Sequence, residues 1–168
     1  MLAKSRHRSY TRIDNDDLTR LWTIALNDRL DFFLAHNEWR TLYARRAMAT
    51  CLCQGAALHY LDLTTGINDF DVYTFYAQHP ERRWCARRYV YRDFANAKFG
   101  CSRDKPEFIG RRVDIFGRDI DCGLCTDPVS AIQTYLHDSK TQTAFHLAQK
   151  AVIWIDPHRL GYQIWPPQ

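Results

Sequence analysis

Apolar positions along this chain change their spacing several times, and each change predicts an element. Leu18, Leu21, Trp22, Ala25, Leu26, Leu30, Phe33 and Leu34 recur at three- and four-residue steps behind Asp14-Asn15-Asp16-Asp17, which supplies a cap and acidic first-turn residues. A helix is therefore expected over 16–35, with a short helical turn near Trp39. From Ala47 to Cys53 the chain is small, apolar and continuous, as in a strand covered on both faces. Gln54-Gly55-Ala56 reads as a tight break, and 57–61 as a short helix stopped by Thr64-Thr65-Gly66. Aromatic and β-branched residues over 70–76 predict the next strand, ended by His79-Pro80. Residues 84–91 and the glycine-bracketed stretch 110–117 are the third and fourth strand candidates. Asp127-Pro128 opens a helix running to about His137, a second helix spans roughly 139–149, and 151–155 closes as an apolar strand.

Helices and strands alternate without an internal repeat, a low-complexity segment or a flexible linker. The expectation is one α/β (α+β) domain over 14–168, a small mixed central sheet flanked by helices, behind a flexible basic arm at 1–13. A chain of 168 residues should bury about 70% of its unfolded surface. With 46% hydrophobic and 14% aromatic residues it reads as a packed globular protein. Its apolar runs are a few residues long, well short of the roughly 20 a membrane span needs, and 1–8 put charge in front of no apolar core. No membrane association and a cytoplasmic location are expected, with the six cysteines as free thiols. A net charge of +4 suits acidic ligands without selecting one.

The chemistry concentrates in Gly66-Ile67-Asn68-Asp69-Phe70-Asp71-Val72. Side chains alternate along a strand, so Asp69 and Asp71 share one face while Phe70 and Val72 enter the core. Two carboxylates this close repel unless a cation lies between them, and Mg²⁺ (or Mn²⁺) prefers such oxygen ligands. An Asp-x-Asp pair arises by chance in about a third of chains this long, but the apolar flanks lower that, and Asp114, between Val113 and Ile115, adds a third acid in the same setting.

Gly55-Ala56, the twelve-residue spacer 57–68, Asp69-Phe70-Asp71-Val72 and Val113-Asp114-Ile115 together resemble the DNA polymerase β-like nucleotidyltransferase superfamily. Its signature is a Gly followed by Gly or Ser, a spacer, two flanked acids and a third acid on a later strand. The chain departs from it at Ala56, where the hydroxyl that would contact a phosphate is missing. The resemblance spans 47–117, and a preceding helix at 16–35 also suits it. It implies that Asp69 and Asp71 bind two metal ions, while Asp114 activates the attacking hydroxyl and helps hold the second ion. Gly55 and Ala56 would form the turn against the triphosphate of an NTP such as ATP, with Arg103, Lys105, Arg111 and Arg118 as the basic candidates to neutralise it. Arg112, as a strand neighbour of Asp114, is expected to face away and ranks below them.

The implied reaction moves a nucleoside monophosphate from an NTP to a hydroxyl of RNA, protein or a small molecule. Small stand-alone members include antibiotic-modifying enzymes and toxins of toxin–antitoxin pairs, which adds an antitoxin to the partners to be expected. The alternatives are an inactive nucleotide- or RNA-binding member of the fold, and a metal-dependent nuclease or glycosyltransferase. Cys122 and Cys125 are read as ordinary thiols ahead of a zinc or redox pair, Cys51 and Cys53 as core residues, and His59 as a packed histidine ahead of a nucleotide contact.

Overall fold

The structure, a computed structural model, describes residues 8–84, 89–102 and 105–168. Its elements run α1 (Asn15–Ala35), α2 (Asn37–Tyr43), β1 (Ala47–Cys53), α3 (Gln54–Asp62), β2 (Phe70–Ala77), β3 (Tyr89–Phe94), β4 (Arg111–Ile120), α4 (Pro128–Asp138), α5 (Gln142–Ala148), β5 (Val152–Trp154) and β6 (Gln163–Trp165). The strands form one mixed sheet in the order β3-β4-β2-β1-β5-β6. Only β2 and β4 run parallel; the other neighbours are antiparallel. The expected α/β domain with a mixed, helix-flanked sheet is what the chain forms.

Helix α1 starts where its capping signal lies: the Asp14 side chain accepts from the Asp17 amide at 2.9 Å and the Asp17 side chain from the Asp14 amide at 2.9 Å. Its Leu18, Leu21 and Ala25 pack with Leu52, Phe70, Val72, Val113, Ile115 and Ile153 over one face of the sheet. The other face presents Cys51, Cys53, Phe75, Val152 and Trp154 to Val129, Ile132 and Leu136 of α4 and Leu147 of α5. Both faces are covered, which is why β1 reads as an unbroken apolar run.

Several expectations shift. Leu30 and Leu34 are exposed, while Phe33 enters a cluster with Tyr43, Tyr76 and Trp84. The bend after β1 takes no tight-turn tripeptide: Gln54 adopts a φ of 60° and α3 begins there, so Gly55 and Ala56 lie in its first turn. The third strand is described from Tyr89 and runs past its expected end to Phe94, with 85–88 of the expected stretch outside the described residues, and the fourth continues to Ile120. Of the segment expected to be a loose arm, 8–13 are docked: Ser9 exchanges two backbone hydrogen bonds with Ile67, and Ile13 is buried.

Candidate functional site

Strand register assembles a row across the sheet. Tyr91 of β3 pairs with Asp114 of β4, Asp114 with Asp71 of β2, and Asp71 with Cys53 of β1. Neighbouring strands lie about 4.8 Å apart, so the two aspartates stand side by side on the α4–α5 face. Asp69, just before β2, adds a third carboxylate on the same face by alternation. Cys53 is also the residue before α3, and its side chain makes no capping bond. The first amides of α3 are thus left without a side-chain cap beside the acids. A Cβ on Gly55 would meet only Lys150 Nζ, at 3.9 Å, so the glycine is open toward an ammonium group. Lys150 also lines a cleft of about 330 Å³ with Gln54, Tyr73, Thr143, His146 and Gln149.

Burial, followed by the charges of Asp69 and Asp114, pushes the Asp71 carboxyl up to about 7. Asp69 is raised by burial and then by Asp114, and Lys150 and Arg112 pull both back down. Burial and like charge outweigh these two cations, so both carboxyls stay above their usual range. Asp114 is compensated differently: it is 5% exposed and receives a fork from Arg112, Nε to Oδ1 at 2.8 Å and Nη2 to Oδ2 at 3.0 Å. The same Nη2 lies 3.7 Å from Asp69 Oδ2. This corrects the expectation that Arg112 faces away, since residues two apart on a strand share a face.

The remaining candidates separate. Gly55 is at the site. Ala56 is buried in the core against α1 and the sheet, so the missing hydroxyl at this position would not have pointed into the cleft. Lys105 is exposed, with its ammonium 5.2 Å from the Tyr91 ring centroid at the edge of the row. Arg111 is no surface phosphate ligand: as the first residue of β4 it turns to the opposite face from Asp114, is 3% exposed, and donates to the Phe99 carbonyl at 2.8 Å. Arg118 shares the face of Asp114, but four residues further along it lies about 13 Å away at strand rise, acting on Tyr73 and Tyr135. Arg103 lies outside the described residues. Lys150 was not singled out from the sequence; it precedes β5, and only the pairing of β5 with β1 brings it to Gly55.

Among the described residues, no three His, Cys, Asp or Glu side chains converge closely enough to hold an ion. Asp69 and Asp71 have the donor type and the charge deficit for one, whereas Asp114 is held by Arg112. Elsewhere, Cys122 Sγ contacts Met48 Sδ at 3.6 Å and Cys125 is exposed, while Cys51 and Cys53 are buried and their thiols raised by that burial. His59 is wholly buried: Nδ1 accepts from the Gly66 amide and Nε2 donates to the Thr11 carbonyl, each at 3.1 Å. No helix of the described residues is long and apolar enough to cross a membrane.

No family model, curated protein or solved structure matches this chain.

Proposed function

We propose that this chain is a metal-dependent nucleotidyltransferase that moves a nucleoside monophosphate from an NTP to a hydroxyl acceptor. The observation that carries the reading is the meeting, at one end of the sheet, of three carboxylates with the uncapped start of α3 and Lys150. Phosphoryl transfer asks a protein mainly for position and charge compensation. Asp69 and Asp71 would hold Mg²⁺ or Mn²⁺, which when bound offsets phosphate charge. The amides of α3 and the bare Gly55 let backbone approach the triphosphate, and Lys150, beside Gly55, neutralises it. The acceptor oxygen bonds the α-phosphorus as pyrophosphate departs, and Asp114, beside Asp71, takes the hydroxyl proton once one of its oxygens leaves the Arg112 fork.

That fork is the observation favouring a second reading, a member that binds nucleotide or RNA without turnover, because a carboxylate engaged through both oxygens is a poor proton acceptor. Incubation with labelled NTPs, Mn²⁺ and cell extract separates the two. Label transfer should fall by about two orders of magnitude or more in Asp69→Ala and Asp71→Ala. Transfer unchanged in both variants overturns the assignment, and metal-dependent NTP binding without any transfer selects the second reading.

A further inference from the structure

The acid cluster already contains a cation that belongs to the chain. Arg112 places its guanidinium against both oxygens of Asp114, at 2.8 Å and 3.0 Å, and 3.7 Å from Asp69 Oδ2. The ring of Tyr91, the cross-strand partner of Asp114, lies 6.0 Å from the guanidinium carbon. We propose that Arg112 stands in for a second divalent ion at Asp114, so that the chain holds one ion, at Asp69 and Asp71, instead of the pair a three-carboxylate site would otherwise take.

The inference rests on the metal-dependent reading above and deepens it. Asp114 is 5% exposed, and a buried carboxylate needs a compensating charge that stays in place. Guanidinium meets that need better than an ammonium, because its planar fork matches the two oxygens and it cannot lose its proton in a protein. A divalent ion at Asp114 would have to sit against this fixed positive charge or expel it from a bidentate pair. Asp71 lies outside the fork, and Asp69 meets it only at 3.7 Å, so this half of the row keeps the oxygens that a cation needs. Lys150 flanks the same half from the Gly55 side, where a triphosphate rather than a second ion would answer it.

The test counts Mn²⁺ ions on the full chain by calorimetric titration and reads their spacing by electron paramagnetic resonance. The wild-type protein is expected to bind one ion with the hyperfine pattern of an isolated Mn²⁺. Arg112→Gln, which removes the charge and keeps a planar polar group, should bind two ions with a spin-coupled spectrum. Arg112→Lys, which keeps the charge without the fork, should bind one; it decides the matter together with the wild type if Arg112→Gln does not fold. Two ions on the wild-type protein or on Arg112→Lys, or a single ion on folded Arg112→Gln, overturn the substitution of arginine for metal while leaving the metal site standing. No ion on any of them removes the metal-dependent reading itself, and this inference with it.

Discussion

Asp71 carries an electrostatic cost that Lys150 and Arg112 offset only in part. Its carboxyl keeps a proton up to about pH 7 in the folded chain against 3.8 when free in solution. Between those values the folded state binds more protons than the unfolded state, so stability falls as pH rises through that window and levels off above it. Asp71→Asn removes the titration. In chelator, the variant should exceed the wild type by about 2–4 kcal/mol above pH 7, and the difference should vanish near pH 4. Urea denaturation at pH 4, 6 and 8 measures it, and a gap that does not change with pH contradicts the assigned burial of charge. His59 shows the opposite economy of position: both ring nitrogens are engaged by backbone, which ties the docked segment at Thr11 to the loop at Gly66 and leaves the ring outside the cleft.

Strand β4 is longer than its glycine brackets suggest, and the reason is a contact. Gly110 is a true bracket, with a φ of 129° that side chains rarely adopt. Gly117 is not a turn residue; it makes room for Trp84. A Cβ there would collide with Trp84 Nε1 and come within 2.7 Å of Cε2. The indole cannot retreat easily, because it stacks on Tyr76 at 4.3 Å between ring centroids and its own amide donates to Asp119 at 2.9 Å. Gly117→Ala should therefore destabilise the protein by about 1–3 kcal/mol, read as a lowered denaturation midpoint. A midpoint equal to that of the wild type would show that Trp84 has another place to go. Since Asp114 lies three residues earlier on the same strand, this packing also helps hold the carboxylate row in register.

For the molecule as a whole, the proposed ion at Asp69 and Asp71 would couple cation binding to folding through the same acids. An ion that binds only the folded state at 100 times its dissociation constant stabilises by about 2.7 kcal/mol. Protons compete for Asp71, so Mn²⁺ should raise the melting temperature clearly at pH 8 and much less at pH 5. Asp71→Ala should show little shift at either pH. Equal shifts in wild type and variant, followed by scanning fluorimetry, would place the ion elsewhere on the chain.

Much of the architecture follows from neighbours along the chain. The capping box and apolar stripe specify α1, the unbroken run from Ala47 to Cys53 specifies a covered strand, and two-residue alternation puts Asp69 and Asp71 on one face. The same alternation puts Arg112 on the face of Asp114, so that contact too was legible once the spacing is counted by pairs. Other features depended on residues far apart in sequence. The parallel pairing of β2 with β4 sets Asp71 beside Asp114, the pairing of β1 with β5 brings Lys150 to Gly55, and burial takes Ala56 and Arg111 out of the cleft. Periodicity and caps act through bonds between near neighbours, whereas register and strand order are chosen by how both faces of the sheet are buried at once, and no local pattern contains that choice.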